Sequence, residues 1–504
     1  MYTGMLFCAH CAGLESSTPD PNPGRLLRAP SAHVMLTLSP DLPTPLVSQI
    51  VEGLRGLITA QVLKPGSKLP SIRSFAASHG VSVFTVVEAY DRLVAQGWLV
   101  SRANAGFFVK RREAAAPGSV VSERPAPTFD ARWYLQQIFE NRNLPMKPGC
   151  GWLPQDWLFG DAVRRSMRQL SSDGADLDGY GLPHGHLALR TVVAEAMAER
   201  GIAVDADRVM LTQGSSQALD LVARRLVRPG DTVLVDDPGY PNLHFILRFA
   251  GAHAVGVPRT ATGYDLVALE ALLARHRPTA FFTQPRLQSP TCSVASMAHL
   301  HRLLQLAEQH GFMLVENDIY ADMETGVRPS LASLDQLNRV VYLGSFSKTI
   351  SPNLRTGYLA ARRDLVDELV QLKMVSGLTS SDITERITLG VVTDGRWRKH
   401  LKSLRERLAE AHRTVGRRLE GLGFELFHEP EAGMYLWARH PDLPDSALLT
   451  QDATGEGIML GPGALFLVEP RPTGWLRFNV AFCADERMWR FLEQRIALGQ
   501  QGAQ

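Results

Sequence analysis

Residues 345–358 read SFSKTISPNLRTGY. They follow a short apolar run, Val340-Val341-Tyr342-Leu343, whose pattern predicts a buried strand. A lysine placed just after a buried strand is held by its backbone rather than left waving in solvent. The hydroxyls of Ser345 and Ser347 and the guanidinium of Arg355 would make an anion site that fits a phosphate ester. A lysine beside a bound phosphate cofactor suits Schiff-base chemistry. Taken alone, Ser-x-Ser-Lys reads as a solvated loop lysine; the rest of the chain reverses that reading.

At 504 residues the chain exceeds one ordinary domain, and two or three are expected. Hydrophobic residues at 45% and charged residues at 21% are ordinary for soluble globular proteins and permit a large core. No window approaches about 18 uninterrupted apolar residues, so no membrane span is expected. The N-terminus lacks a basic start followed by an apolar run, which argues against export. Five cysteines, sparse and odd in number, fit a reducing cytoplasm. The net charge is +2 but uneven: residues 36–112 hold nine Lys/Arg against four Asp/Glu, and residues 129–504 hold 41 against 43. The basic front segment points to nucleic acid.

Residues 1–35 are rich in Pro, Ser and small residues without periodicity and are expected to be disordered, or to precede a true start at Met35. The whole extension is set at 1–43. Cys8 and Cys11 flank His10, but no second ligand pair lies nearby and no metal site is expected. In residues 44–60, Leu46, Val47, Ile50, Val51, Leu54, Leu57 and Ile58 share one helical face. Ser71 opens a second helix ending near His79-Gly80. Ser82 is a good cap for a third, running to Gln96 and burying Val86, Tyr90 and Leu93. Trp98–Arg102 and Phe107–Lys110 read as two strands around an Asn104-Ala105-Gly106 turn. Three helices and a hairpin describe a winged helix-turn-helix, mainly α with a β-hairpin wing, whose third helix would lie in the major groove of double-stranded DNA. A small helical dimerisation module is the other reading of the same periodicity, and the basic balance favours DNA.

The run KPGSKLPSIRSFAASHGVS at 64–82, followed by TVVEAYDRLVAQGWL at 85–99, resembles the DNA-binding domain of the GntR regulator family over residues 44–112. The resemblance implies that Arg73, Ser82 and Thr85 contact DNA and that the loop at Gly106 is the wing tip. The family usually has an arginine where this chain has Val83, so one DNA contact is expected to be lost.

Residues 113–128, EAAAPGSVVSERPAPT, form a Pro-stiffened linker, and the second domain is set at 129–504. There, strand-like runs (209–212, 232–235, 280–283, 312–315, 340–343) alternate with helix-like runs such as Ser215–Val227, predicting a mainly parallel α/β sheet covered by helices. A long amphipathic helix over 397–422 and a smaller α/β subdomain close the chain. Several motifs answer the lysine. Thr212-Gln213-Gly214-Ser215-Ser216 joins a strand to a helix, whose first amides can bind phosphate. Asp236-Asp237-Pro238-Gly239-Tyr240-Pro241 offers an aromatic ring that could stack on a flat cofactor; a turn with a packing tyrosine is equally compatible. In Glu316-Asn317-Asp318-Ile319-Tyr320, Asp318 and Tyr320 are expected to alternate along an extended chain and face one side.

Together these motifs, in this order, resemble the fold-type I pyridoxal-phosphate aminotransferases over roughly residues 145–495. The resemblance implies that Lys348 forms an aldimine with pyridoxal 5'-phosphate and that Asp318 pairs with the pyridine nitrogen. By the same resemblance Tyr320 contacts the ring oxygen, Tyr240 stacks on the ring, and Ser215, Ser216, Ser345, Ser347 and Arg355 hold the phosphate. Tyr180 is expected to reach across a homodimer interface, and Arg477 to take a substrate or effector carboxylate bidentately. Two departures bear on activity: Ser289 stands where the family has an asparagine on the ring oxygen, and Cys292 where it has a glycine. Pro352-Asn353 for the usual Pro-Gly is milder, since asparagine tolerates left-handed geometry. A GntR-type reader fused to such a domain resembles the MocR group of regulators. This implies a cytoplasmic homodimer that binds an operator and senses pyridoxal phosphate, another B6 vitamer or a small amino compound through Lys348. The alternative is an active aminotransferase with a DNA-binding appendage; a scaffold that has lost its cofactor is disfavoured by the intact Lys348, Asp318 and Arg355.

Overall fold

The computed structural model describes residues 36–39, 44–60, 62–102, 105–110, 144–172 and 178–502. The expected N-terminal extension to Met35, with its Cys8-His10-Cys11 cluster, and the expected linker at 113–128 lie outside these. The chain divides into two compact units at residues 124 and 125.

The first unit contains α1 (Leu46–Thr59), α2 (Ile72–His79), α3 (Val83–Ala95), β1 (Leu99–Arg102) and β2 (Gly106–Val109). Ser71 Oγ caps α2 by accepting from Ser74 N, and Ser82 Oγ caps α3 by accepting from Thr85 N. Ile50, Leu54, Phe75, Val86, Tyr90 and Leu93 meet in one core, closed by Leu99 and Val109 of the hairpin. Tyr90 fixes the arrangement: its ring lies edge-on to Phe75 and Phe107, and its hydroxyl donates to Pro70 O. The hairpin is antiparallel, with Leu99 opposite Val109 and Arg102 opposite Gly106. Gly106, at φ 99°, is the first residue of β2 and pairs with Arg102 at the turn end of the hairpin.

The second unit is built on an eight-stranded sheet: β3 (Val209–Thr212), β4 (Thr232–Asp237), β5 (His253–Thr260), β6 (Gly263–Tyr264), β7 (Ala280–Thr283), β8 (Met313–Asn317), β9 (Val340–Ser345) and β10 (Gly357–Ala360). Their order is β3-β10-β9-β8-β7-β4-β5-β6. The run from β9 to β5 is parallel, and β10 is antiparallel to both neighbours. Side chains alternate between two cores: Leu234, Phe281, Leu314 and Tyr342 on one face, Val235, Phe282, Val315 and Leu343 on the other. Helices α4 (Gly160–Ser172), α5 (Leu187–Glu199), α6 (Gly214–Leu226), α7 (Pro241–Phe249), α8 (Leu266–Arg275), α9 (Met297–His310), α10 (Leu331–Asp335), α11 (Arg363–Gly377) and α12 (Asp382–Val392) belong to this layer. The 25-residue α13 (Trp397–Gly421) leads into an antiparallel sheet of β11 (Glu425–Leu426), β12 (Tyr435–Arg439), β14 (Leu476–Asn479) and β13 (Gly461–Pro462). Two helices, α14 (Ser446–Gly455) and α15 (Glu486–Gly502), complete the subdomain. Among the described residues no helix is long and apolar enough to cross a membrane.

The turn after β7 carries the Cys292 departure. Cys292 adopts φ 59°, the left-handed conformation that favours glycine, and its thiol contacts Ala432 O at 3.2 Å. The facing residue is Gly433, at φ 91°, and a Cβ there would overlap the Cys292 sulfur. The bulk gained at 292 is thus accommodated by a position that carries none. Gly433→Ala should destabilise the second unit by about 2–4 kcal/mol, combining overpacking with a strained φ. Adding Cys292→Gly should recover the overpacking part only, as denaturant unfolding of both variants would show.

Candidate cofactor site and nucleic-acid interface

The carboxyl ends of β3, β4, β7, β8 and β9 bring the expected cofactor residues to one edge of the large sheet, where ligands of such sheets bind. Lys348 follows β9, and its Nζ donates to Gly151 O at 2.5 Å and lies 5.7 Å from the Tyr320 ring centre. The residue is only partly buried by surface area, but its amine is enclosed; desolvation, then the nearby charge of Arg477, lowers its pKa to about 8.

The expected phosphate residues converge. Gly214 opens α6 with φ 75°, and a Cβ there would overlap the Arg355 guanidinium. Arg355 donates to Gln213 O and, at 3.4 Å, to Ser347 Oγ; Ser347 N donates to Ser345 Oγ. Ser215 and Ser216 occupy the first turn of α6, whose leading amides a helix leaves unpaired. Helix amides, hydroxyls and an arginine in one cradle suit a phosphate dianion. Arg355 itself takes φ 51°, whereas Asn353, expected to relieve this loop, has no left-handed backbone.

Asp318 and Tyr320 do not alternate along a strand. The strand ends at Asn317, and the chain turns through Asp318 into a short helical turn at Ala321–Met323. Asp318 is buried: Tyr342 OH donates to its Oδ2 at 3.0 Å, and Arg286 Nε stands 3.1 Å from its Oδ1. That second contact has ion-pair distance without hydrogen-bond geometry, so Oδ1 keeps an unused acceptor. Burial pushes the Asp318 carboxyl up, opposed chiefly by Arg286. A buried acceptor lacking a donor fits a protonated ring nitrogen. Tyr320 OH is bonded to Tyr435 OH at 2.9 Å. Tyr240 stands at the N-cap position of α7, at the end of the turn after β4, with no side-chain capping bond.

Arg477 lies between the rings of Tyr435 and Phe466, 4.5 and 4.6 Å from their centres. It donates to Gly149 O at 2.7 Å and to Ser289 Oγ at 3.2 Å, and its buried Nε is unpartnered. Ser289 Oγ thus accepts from the arginine, at the position where related enzymes carry a longer asparagine on the ring oxygen. Tyr180 stands apart, 85% exposed beside the Thr379–Ile383 segment. Tyr435, Tyr342, Arg286 and the carbonyls of Gly149 and Gly151 were not foreseen. Arg286 was readable only as a cation near the Ser289-Pro290 turn, and nothing marked the others. Among the described residues no cluster of His, Cys, Asp and Glu is placed to hold a metal ion.

In the first unit, Arg73 is exposed in the first turn of α2, and Ser82 and Thr85 are at the start of α3. Their hydroxyls bond each other at 2.7 Å while Ser82 also caps the helix. Arg102 and Lys68 lie over the Phe108 ring of the hairpin.

A helix-turn-helix unit joined to a fold-type I aminotransferase unit is the class these two architectures define. Residues 46–109 match the gntR family of bacterial regulatory proteins, and residues 155–494 match the aminotransferase class I and II family. The chain is 30% identical over 440 residues to a protein of Rhizobium meliloti named as a probable rhizopine catabolism regulatory protein, MocR, covering 85% of this chain and 88% of that one. It is 28% identical to the transcriptional regulator TauR of Rhodobacter capsulatus, over 82% and 88% of the two chains. The solved LysN α-aminoadipate aminotransferase of Thermus thermophilus, complexed with N-(5'-phosphopyridoxyl)-L-leucine, superposes with a TM-score of 0.66 at 26% identity, over 74% of this chain and 96% of that one. This chain belongs to the MocR-type regulators of the GntR family, and its second unit is of the class that uses pyridoxal phosphate.

A lysine lowered to about 8 is roughly a quarter neutral at pH 7.5, against roughly one part in a thousand for an ordinary lysine. Competitive labelling of cofactor-free protein with acetic anhydride should therefore give Lys348 a midpoint near pH 8, with reactivity level above pH 9. Labelling that still climbs through pH 10 would show an ordinary amine.

Proposed function

We propose that this chain is a transcription regulator that binds operator DNA through its first unit and senses a small amino compound through pyridoxal phosphate held at Lys348. The observation that carries this is the enclosed Lys348 amine, with its lowered pKa, in the same site as the Arg477 guanidinium. Pyridoxal phosphate supplies an aldehyde that couples reversibly to primary amines. Lys348 is the chain's own amine for that coupling, and when an external amine takes its place the Gly151 carbonyl is within reach to accept the released Nζ. Arg477 supplies the charge that would orient a carboxylate on the incoming amine. Asp318 supplies the negative charge for the ring nitrogen, and the cradle of Ser215, Ser216, Ser345, Ser347 and Arg355 supplies the anchor. Regulation requires only that the amine bind the two states of the regulator with different affinity.

An aminotransferase carrying a DNA-binding unit is the competing reading. It draws on the same lysine and aspartate, and on 30% identity over 365 residues to a 2-aminoadipate transaminase of Thermus thermophilus. The helix-turn-helix unit speaks for the sensor, as does the similarity over both units to proteins named as transcriptional regulators.

The proposal includes a homodimer. Tyr180 and Val375 are 85% and 88% exposed, and Leu182, Leu187, Leu378 and Ile383 are exposed with them. The loop and helix ends that carry them are joined by the buried Lys373, whose Nζ donates to Pro183 O. An apolar patch of this kind marks an association surface. Val375→Asp with Leu378→Asp should convert the dimer to monomer in light scattering; a wild-type monomer would contradict the proposal.

The functional test titrates amino acids, amines and B6 vitamers against operator affinity, with keto-acid production followed in parallel. At least one amine should change operator affinity about 5–150-fold, the range of coupling energies of about 1–3 kcal/mol, and Lys348→Ala should abolish the response. Transamination at ordinary enzyme rates with no effect of any amine on DNA binding would establish the competing reading.

A further inference from the structure

The first turn of α3 carries an unusual surface for a helix expected to read bases. Val86, Ala89, Tyr90 and Leu93 bury one face of α3, so Val83 and Phe84 point away from the core, 50% and 76% exposed. No lysine, arginine, asparagine or glutamine stands in this turn. The hydroxyls of Ser82 and Thr85 are bonded to each other, and Ser82 also accepts from the Thr85 amide. The end of the helix that a helix-turn-helix presents to the major groove therefore offers two apolar side chains, and of its two hydroxyls only one keeps an uncommitted O–H. Exposed cations accompany it on the same unit: Arg73 on α2, Lys64 and Lys68 before it, and Arg102 on the hairpin. They suit a phosphate backbone and commit the surface to DNA rather than to an apolar protein partner.

An exposed phenylalanine beside an exposed valine gains free energy only against another apolar group. In the major groove that group is the C5 methyl of thymine. We propose that Val83 and Phe84 read thymine methyl groups, so that this regulator selects thymine by apolar contact at the positions beneath the start of α3, where guanine-directed arginine is absent. The proposal rests on the reading that the first unit binds duplex DNA through α3.

The test uses the full-length protein. Sites are selected from a duplex library with a randomised core, and each thymine of the recovered site is then replaced singly by uracil, which removes the methyl and leaves the hydrogen-bonding edge unchanged. One or two replacements should weaken binding about 3–5-fold, the effect expected from losing burial of one methyl-sized group. Phe84→Ala should lower affinity for the thymine site and erase the thymine-over-uracil preference at its position, with Val83→Ala doing the same at a neighbouring one. Both side chains are surface groups, and an unchanged thermal melt confirms that the variants fold. Val83→Arg should shift the selected base toward guanine. Enrichment of sites indifferent to uracil, or a thymine preference that survives both alanine variants, overturns the proposal alone. Failure to enrich any duplex overturns the DNA-binding reading, and the proposal with it.

Discussion

The buried Asp318 carboxylate is the constraint on which the second unit's site depends. A carboxylate withdrawn from water costs several kcal/mol unless charges and donors surround it. Here Arg286 supplies the charge and Tyr342 a donor. Arg286 is itself pinned by Glu324 at 2.6 Å, which also pairs with Arg328 at 3.0 Å. The loops after β7 and β8 are thereby fastened to one another through ions, not only through packing. Two residues upstream, Glu316 accepts from the amides of Leu331 and Ala332 at the start of α10, while burial and then the Asp318 charge push its carboxyl up. The direction of the Asp318 carboxyl is set by this network before any ligand arrives.

The same network bears on the chemistry the site can support. An aspartate facing a ring nitrogen works as an electron-sink partner in proportion to its basicity. Burial raises the Asp318 carboxyl above the ordinary range even with Arg286 opposing it, so its hold on a shared proton is strengthened. Ser289 Oγ accepts from Arg477 and keeps its own O–H to donate.

The sequence was most legible where local rules govern. Serines at helix starts, glycine and proline at turns and the 3.6-residue spacing placed α1, α2 and α3 within two residues, because caps and amphipathic faces are local. Lys348, Arg355 and the Gly214 turn were legible as motifs whose spacing the chemistry itself imposes. What escaped were partnerships between distant residues: Tyr320 with Tyr435 across 115 positions, Arg477 with Ser289 across 188, Cys292 with Gly433. No periodicity reports such pairs. The alternation expected of Asp318 and Tyr320 failed because the strand ends one residue early, and strand ends are set by the neighbouring loop's hydrogen bonds. Likewise β10 is absent from the strand-like runs of the sequence, and its antiparallel insertion between β3 and β9 follows from tertiary pairing alone.

A regulator of this form stands on linkage between two units: whatever an amine at Lys348 does to operator affinity, the operator must do to amine affinity by the same factor. The direct measurement follows the absorbance of the cofactor-loaded protein as an effective amine is added, with and without saturating operator duplex. The account predicts two different amine dissociation constants whose ratio equals the change in operator affinity that the amine produces. Identical amine affinities in the presence and absence of operator would contradict it.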